Sequence, residues 1–153
     1  MVSVRKAGLR DVPALRRIDS FGEQLEGYSG LDSLDTAADD DGGGYYRSFI
    51  FGKRKWCYLA ELDGAVVGFI LFNVERRPAY FKVREVGYID LLFVAEDARG
   101  RGVSKALMGA ATDVLGKEGM EYLKLSVHVD NPAHRFWKKQ GFEDYRVDMW
   151  REV

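Results

Sequence analysis

The 153-residue chain reads as an α/β (α+β) protein, one domain over residues 1–153 in which a mixed, mostly antiparallel twisted sheet is flanked by helices. Three observations carry that reading. Two apolar runs, "WCYLAEL" and "AVVGFILFNV", flank Asp63-Gly64, a hairpin signal because glycine supplies the positive φ that a tight primed turn needs. "VGYIDLLFV", Val86 to Val94, is almost continuously apolar, as expected of a central strand covered on both faces, and Asp90 alone breaks it. Finally, Val103, Ala106, Leu107, Ala110, Ala111, Val114 and Leu115 repeat at the 3,4 spacing of a helix that Gly116 and Gly119 end.

The remaining elements follow in order. "VSVRK" alternates as a short opening strand, and Asp11 then reads as the cap of a helix with Pro13 in its first turn and Leu15 and Ile18 on its apolar face. From Phe21 to Gly44 the pattern dissolves into Gly, Ser and Asp, ending in "DDDGGG", which predicts no regular element. "YLKLSVHV", residues 122–129, alternates strictly and predicts a strand. Asn131 is expected to cap a short helix with Pro132 at its first position and Gly141 past its end, before "YRVDMW" alternates as a last strand.

Composition narrows the function classes. Basic and acidic residues number 23 and 24, a formal charge of −1, so no nucleic-acid partner is expected, since phosphate contacts call for a basic excess. The longest apolar run, Ala65 to Phe72, is far shorter than the roughly 20 residues that span a bilayer, and no membrane partner is expected. Arg5, Lys6 and Arg10 have no apolar block behind them, so no signal peptide is expected either. Cys57 is the sole cysteine, which excludes an intrachain disulfide; no Cys/His spacing fits zinc, no metal is expected, and the composition suits a reducing cytoplasm.

The sharpest chemical feature is the junction "LLFVAEDARGRGVSKAL": buried strand, short connection, two glycines, helix. Amide groups at a helix start lack intrahelical partners and the helix dipole is positive there, so such a turn can hold phosphate oxygens. Gly100 and Gly102 permit the tight bend, and Arg99 and Arg101 add donors and charge. The bland reading is a loop with surface arginines. A P-loop is disfavoured because Gly-Lys-Ser/Thr is missing, and a dinucleotide fingerprint because Lys105 stands where its third glycine belongs.

The run "ARGRGVSKALM" resembles the Arg/Gln-x-x-Gly-x-Gly/Ala pyrophosphate loop of the GNAT superfamily of acetyl-CoA-dependent N-acetyltransferases, with Ser104 where Gly or Ala is usual. "ELDGAVVGFILF" is similar to that family's second hairpin, "IDLLFV" to its fourth strand and "AHRFWKKQGF" to its last motif, so that the likeness runs from Trp56 to Phe142. The resemblance implies an acyltransferase that uses acetyl-CoA as cosubstrate and acetylates a primary amine of a small molecule or peptide, in a family whose members often form homodimers. It implies backbone contacts from Phe93 and Val94 to the pantetheine arm and thioester. It also implies a pyrophosphate cradle of Arg99, Gly100, Arg101, Gly102, Val103 and Ser104, and a cofactor hydrogen bond from Asn131, which lies one residue nearer the Gly-Phe pair than in many members.

For catalysis the resemblance points to Asp90, at a strand position where several members place an acidic residue that helps deprotonate the amine. A carboxylate in an apolar strand has a raised pKa, which makes it a better base, though an aspartate fixed by neighbouring donors is the structural alternative. His128, on the polar face with Lys124 and Ser126, and His134 read as surface residues. Trp137 stands where the family usually has a tyrosine whose hydroxyl protonates the departing sulfur. An indole donates a hydrogen bond and yields no proton near neutral pH. It reads either as helix core beside Ala133 and Phe136 or as a ring beside the cofactor or acceptor. The acidic stretch Glu23, Glu26, Asp32, Asp35 and Asp39 to Asp41, with Tyr28, Tyr45 and Tyr46, reads either as a rim for cationic amines or as a solvated loop. The rival to an enzyme is a GNAT-like module that keeps CoA and works as a sensor or partner-binding subunit.

Overall fold

The structure is a computed structural model that describes residues 1–19, 31 and 42–153. The acidic stretch from Glu23 to Asp41 and Tyr28 therefore lie outside the described residues. Two units separate: one holds Met1 to Ser20 and Asp39 to Leu125, the other Phe21 to Ala38 and Ser126 to Val153.

In the first unit β1 (Val2–Lys6), β2 (Lys55–Leu62), β3 (Ala65–Arg76), β4 (Glu85–Val94) and β5 (Leu123–Lys124) form one sheet in chain order. The first three pairings are antiparallel and the last is parallel, so the sheet is mixed and mostly antiparallel, as expected. Asp63 and Gly64 join β2 to β3 with φ of 51° and 81°, the paired positive angles of the primed hairpin turn.

The opening helix, α1 (Val12–Ile18), begins after a 3-10 turn, Leu9–Asp11, and this changes the role expected of Asp11. Its carboxylate caps nothing in α1. It turns back to accept the Gly8 N–H at 2.8 Å and two guanidinium bonds from Arg5, each at 2.9 Å. A second helix, α2 (Gly44–Phe51), starts at the last residue of the stretch expected to be irregular and runs through residues for which the sequence predicted no element, and it buries Tyr46, Phe49 and Ile50.

Register assigns the two faces. Paired residues of antiparallel strands share a face, so Cys57, Leu71 and Leu91 lie together, as do Leu59, Phe69 and Phe93. These residues, with Leu15, Tyr46 and Phe49, form the core under α1 and α2. The opposite face, with Gly68, Ile70 and Phe72, receives α3 (Val103–Lys117), whose stripe Val103, Leu107, Ala111 and Leu115 is buried. Gly87 makes room there, since a Cβ on it would stand 2.7 Å from Leu115 and 2.8 Å from Leu123.

The strand expected over residues 122–129 is cut to Leu123–Lys124, which pair with Gly87 and Tyr88. Alternation tells a strand which face to bury but does not supply a ladder partner, and the β4–β5 ladder stops just before a bulge in β4. In the second unit α4 (Ala133–Lys139) begins one residue later than expected, and Pro132 precedes it. The last strand, "YRVDMW", is not formed; Tyr145, Val147 and Met149 alternate as predicted yet all stand exposed.

Candidate active site

Strand β4 ends at Val94, a 3-10 turn (Glu96–Ala98) follows, and the chain swings through Arg99–Gly102 into α3. Ala98 and Val103 are each 2% exposed and pin the loop at both ends. Between them Gly100 and Gly102 adopt φ of 75° and 82°, which only glycine takes without strain, and a Cβ on either would meet open space. The openness matters because these glycines face solvent, not neighbouring packing. The first helical bond of α3 runs from the Ala106 N–H to the Gly102 carbonyl, so the preceding amides lack intrahelical partners, and no side chain caps them. Arg99 and Arg101 are exposed beside them, while Arg99 Nε also reaches the Val94 carbonyl at 3.3 Å. Glu96 and Asp97 offset part of that charge, which leaves the backbone donors and the helix dipole as the main attraction for phosphate oxygens. The residues present fit a pyrophosphate.

Asp90 sits at the bulge of β4. Leu71 pairs with Leu91 and Phe72 with Ile89, so Asp90 is the extra residue without an opposite number. The insertion puts Asp90 and Leu91, consecutive in sequence, on the same side of the sheet, the side of α1 and α2. There the Asn73 amide donates to Asp90 Oδ2 at 2.5 Å. Burial pushes the Asp90 pKa up to about 6, while the Asn73 bond and the nearby Lys55 charge pull against that rise and Glu75 adds to it. Tyr45, from α2, is held up at about 12 by its own burial and then by the Asp90 charge. On the same face Lys124 pairs with Glu75 at 2.7 Å and lies 6.0 Å from the Tyr88 ring centre. A carboxyl poised near neutrality, half-buried and beside a neutral donor, can take a proton at physiological pH.

Thus one strand carries both Asp90 and, through Phe93 and Val94, the approach to the glycine loop. The other expected site residues belong to the second unit. Asn131 accepts the Ala133 N–H on its Oδ1 at 2.9 Å, which ties that oxygen to the start of α4. Trp137 is half-buried, in edge-to-face contact with Phe136 at 4.9 Å and Phe142 at 5.6 Å. His128 accepts the Asp130 N–H in a turn, and His134 pairs with Asp144 at 2.7 Å. Asn73 escaped the sequence reading, although its signal was present: it is the first polar residue in the apolar run of β3.

Comparisons with known proteins bear on the fold and the family. Residues 24–142 match the model of the Acetyltransferase (GNAT) family. An uncharacterized N-acetyltransferase of Methanocaldococcus jannaschii is 32% identical over 127 residues, covering 67% of this chain and 53% of its own length. Mycothiol acetyltransferase of Saccharomonospora viridis is 39% identical over 95 residues, 60% of this chain and 31% of its own. The chain thus spans about half or less of these two relatives. Among solved structures, aminoglycoside N-acetyltransferase AAC(6')-Iy, in complex with the bisubstrate analogue CoA-S-monomethyl-acetylneamine, superposes with a TM-score of 0.78 over 100% of this chain and 99% of that one, at 18% identity. With a family model that matches residues 24–142, well over half of its length, the chain belongs to the GNAT acetyltransferase family.

Proposed function

We propose that the protein is an acetyl-CoA-dependent N-acetyltransferase that moves an acetyl group to a primary amine of a small molecule or peptide by direct attack on the thioester. The observation that carries this reading is the continuity of β4, which presents Asp90 at its bulge and leads through Phe93 and Val94 into the open glycine loop at the start of α3. Acetyl-CoA, when bound, supplies an activated carbonyl and a thiolate leaving group.

The chain's own residues divide the work. Arg99, Gly100, Arg101, Gly102, Val103 and Ser104 hold the pyrophosphate, chiefly through the amides at the start of α3. The backbone of Phe93 and Val94 orients the pantetheine arm, and Asn131 adds a polar contact. Asp90 takes the proton that the acceptor nitrogen sheds as its bond to the acetyl carbon forms and the carbon–sulfur bond breaks. Because a free thiol has a pKa near 8.5, the thiolate leaves near neutral pH without an acid at Trp137. The indole then serves packing or the shape of the acceptor pocket.

A thiol-release assay with acetyl-CoA against polyamines, aminoglycosides, amino acids and basic peptides tests the proposal. Release above the rate of acetyl-CoA hydrolysis with at least one class supports it. CoA binding with no release in any class points instead to a sensor module, which the indole at position 137 would then explain.

A further inference from the structure

The side chain that touches Asp90 is a neutral amide in a strand that is otherwise apolar from Val66 to Phe72. Its position is not accidental in the ladder. Asn73 pairs with Lys55 on one side and Tyr88 on the other, and those neighbours set its direction, toward the face of α2. The bulge then brings Asp90 to that same face, where an unbulged strand would have turned one of Asp90 and Leu91 away. The two features have to coincide for the contact to exist.

We infer that Asn73 is a positioning residue of the reaction: its amide grips Asp90 by Oδ2, fixes the carboxylate at the bulge in its ionised form, and leaves Oδ1 to receive the proton of the incoming amine. The inference rests on the reading of Asp90 as the base. It explains why a donor that cannot titrate stands there. A lysine or arginine in its place would hold the carboxylate too strongly to let it take a proton, and an apolar residue would let burial keep more of it protonated near neutral pH.

Other charges face Asp90 from each packed element. Lys55 from β2 favours the ionised form, and Glu75 from β3 disfavours it but is itself paired with Lys124 of β5. Tyr45 from α2 interacts with Asp90, Asp19 and Tyr88, and as a phenol near 12 it stays neutral through the range in which Asp90 titrates. Among the described residues Asn73 is the hydrogen-bonded partner of Asp90, and Lys55, Glu75 and Tyr45 act on it electrostatically.

The test uses the full chain and two measurements. Asn73→Leu removes the donor on the same branched side-chain skeleton, and Asn73→Gln keeps an amide on a longer arm. Carboxyl carbon NMR of Asp90 without ligands should show its titration midpoint rising by about one pH unit in Asn73→Leu and returning part of the way in Asn73→Gln. With acetyl-CoA and the amine class that turns over fastest in the release assay, the acid limb of kcat/KM should move by the same amount, a loss of about fivefold at pH 6 that approaches tenfold below pH 5, with little change at pH 9. An unmoved NMR midpoint in both variants would overturn the role of Asn73 while leaving Asp90 as base. A moved midpoint with an unmoved rate profile would remove Asp90 from the chemistry, and the inference with it. Should Asn73→Leu fail to fold, the smaller displacement in Asn73→Gln decides by the same criteria.

Discussion

Two aspartates show how position sets the chemistry of one residue type. Asp11 is 5% exposed, yet the Arg5 guanidinium and the Gly8 amide hold its carboxyl below the usual range. Among the described residues no cation is hydrogen-bonded to or ion-paired with Asp90, and burial lifts it to about 6. Their linkage to folding has opposite sign. Asp11 contributes stability that is present above the ordinary carboxylate pKa and is lost as pH falls through its depressed value. For Asp90 the folded state holds the proton more tightly than the unfolded chain, so stability is fullest below the ordinary value near 4 and declines as pH rises through about 6. If Asp90 is the base, Asp90→Asn should slow acetyl transfer most on the plateau above pH 6, where the parent's carboxylate is ionised, by roughly 10²-fold or more, the usual size of a general-base contribution, and least below pH 5, where the parent's own base is protonated. The same substitution should raise the melting temperature at pH 7 to 8, where the cost of the buried charge is on the order of 2 kcal/mol, and leave it nearly unchanged at pH 4. Melting curves and kcat/KM across that range check both halves. A variant whose rate profile overlays that of the parent would take Asp90 out of the mechanism.

Elements whose cause is local were readable in advance. The Asp63-Gly64 hairpin needs two residues with positive φ, and α3 needs only its own stripe of apolar positions, so each appeared where the chain announced it. The bulge at Asp90 was not readable, because it exists only in the register between β3 and β4, and nothing in β4 alone marks the extra residue. For the same reason the alternating segments after Lys124 misled: pattern without a partner strand gives no ladder. Asp11 was placed at a helix start correctly and given the wrong bond, since Arg5, six residues earlier, won its carboxylate. The glycine loop lies between these cases, legible in its residues but not in its openness. Its arginines offer a direct test. Arg99→Ala and Arg101→Ala should each weaken CoA binding severalfold in titration calorimetry, and the parent's affinity should fall more steeply with added salt than that of either variant. The folded state should be untouched, because both side chains are exposed. Unchanged affinity in both variants would take the arginines out of the pyrophosphate cradle and leave the amides of the loop as its only candidates.

Taken as a molecule, the chain distributes its candidate residues between its units, with Asp90 and the glycine loop in the first and Asn131 and Trp137 in the second. The balance of charge, 23 basic against 24 acidic residues, means that no long-range field has to be invoked for ligand capture, so acid–base behaviour should follow the few groups at the site. Trp137 makes that expectation sharp. An indole has no proton to lose in the accessible range, whereas a tyrosine at the same position would titrate near 10. The parent's kcat/KM should rise through the Asp90 limb and stay level to at least pH 9.5, since thiolate departure needs no donor there. Trp137→Tyr should preserve or raise the plateau, because a phenol adds a proton donor worth up to about 10²-fold where the leaving group is slow, and it should introduce a new descending limb near pH 10. Both rings pack against Phe136 and Phe142, so melting temperature should change little and any loss of turnover is not a folding effect. A large fall in turnover, with CoA still bound, would show that the indole itself contacts the acceptor and that the missing hydroxyl was never the relevant difference.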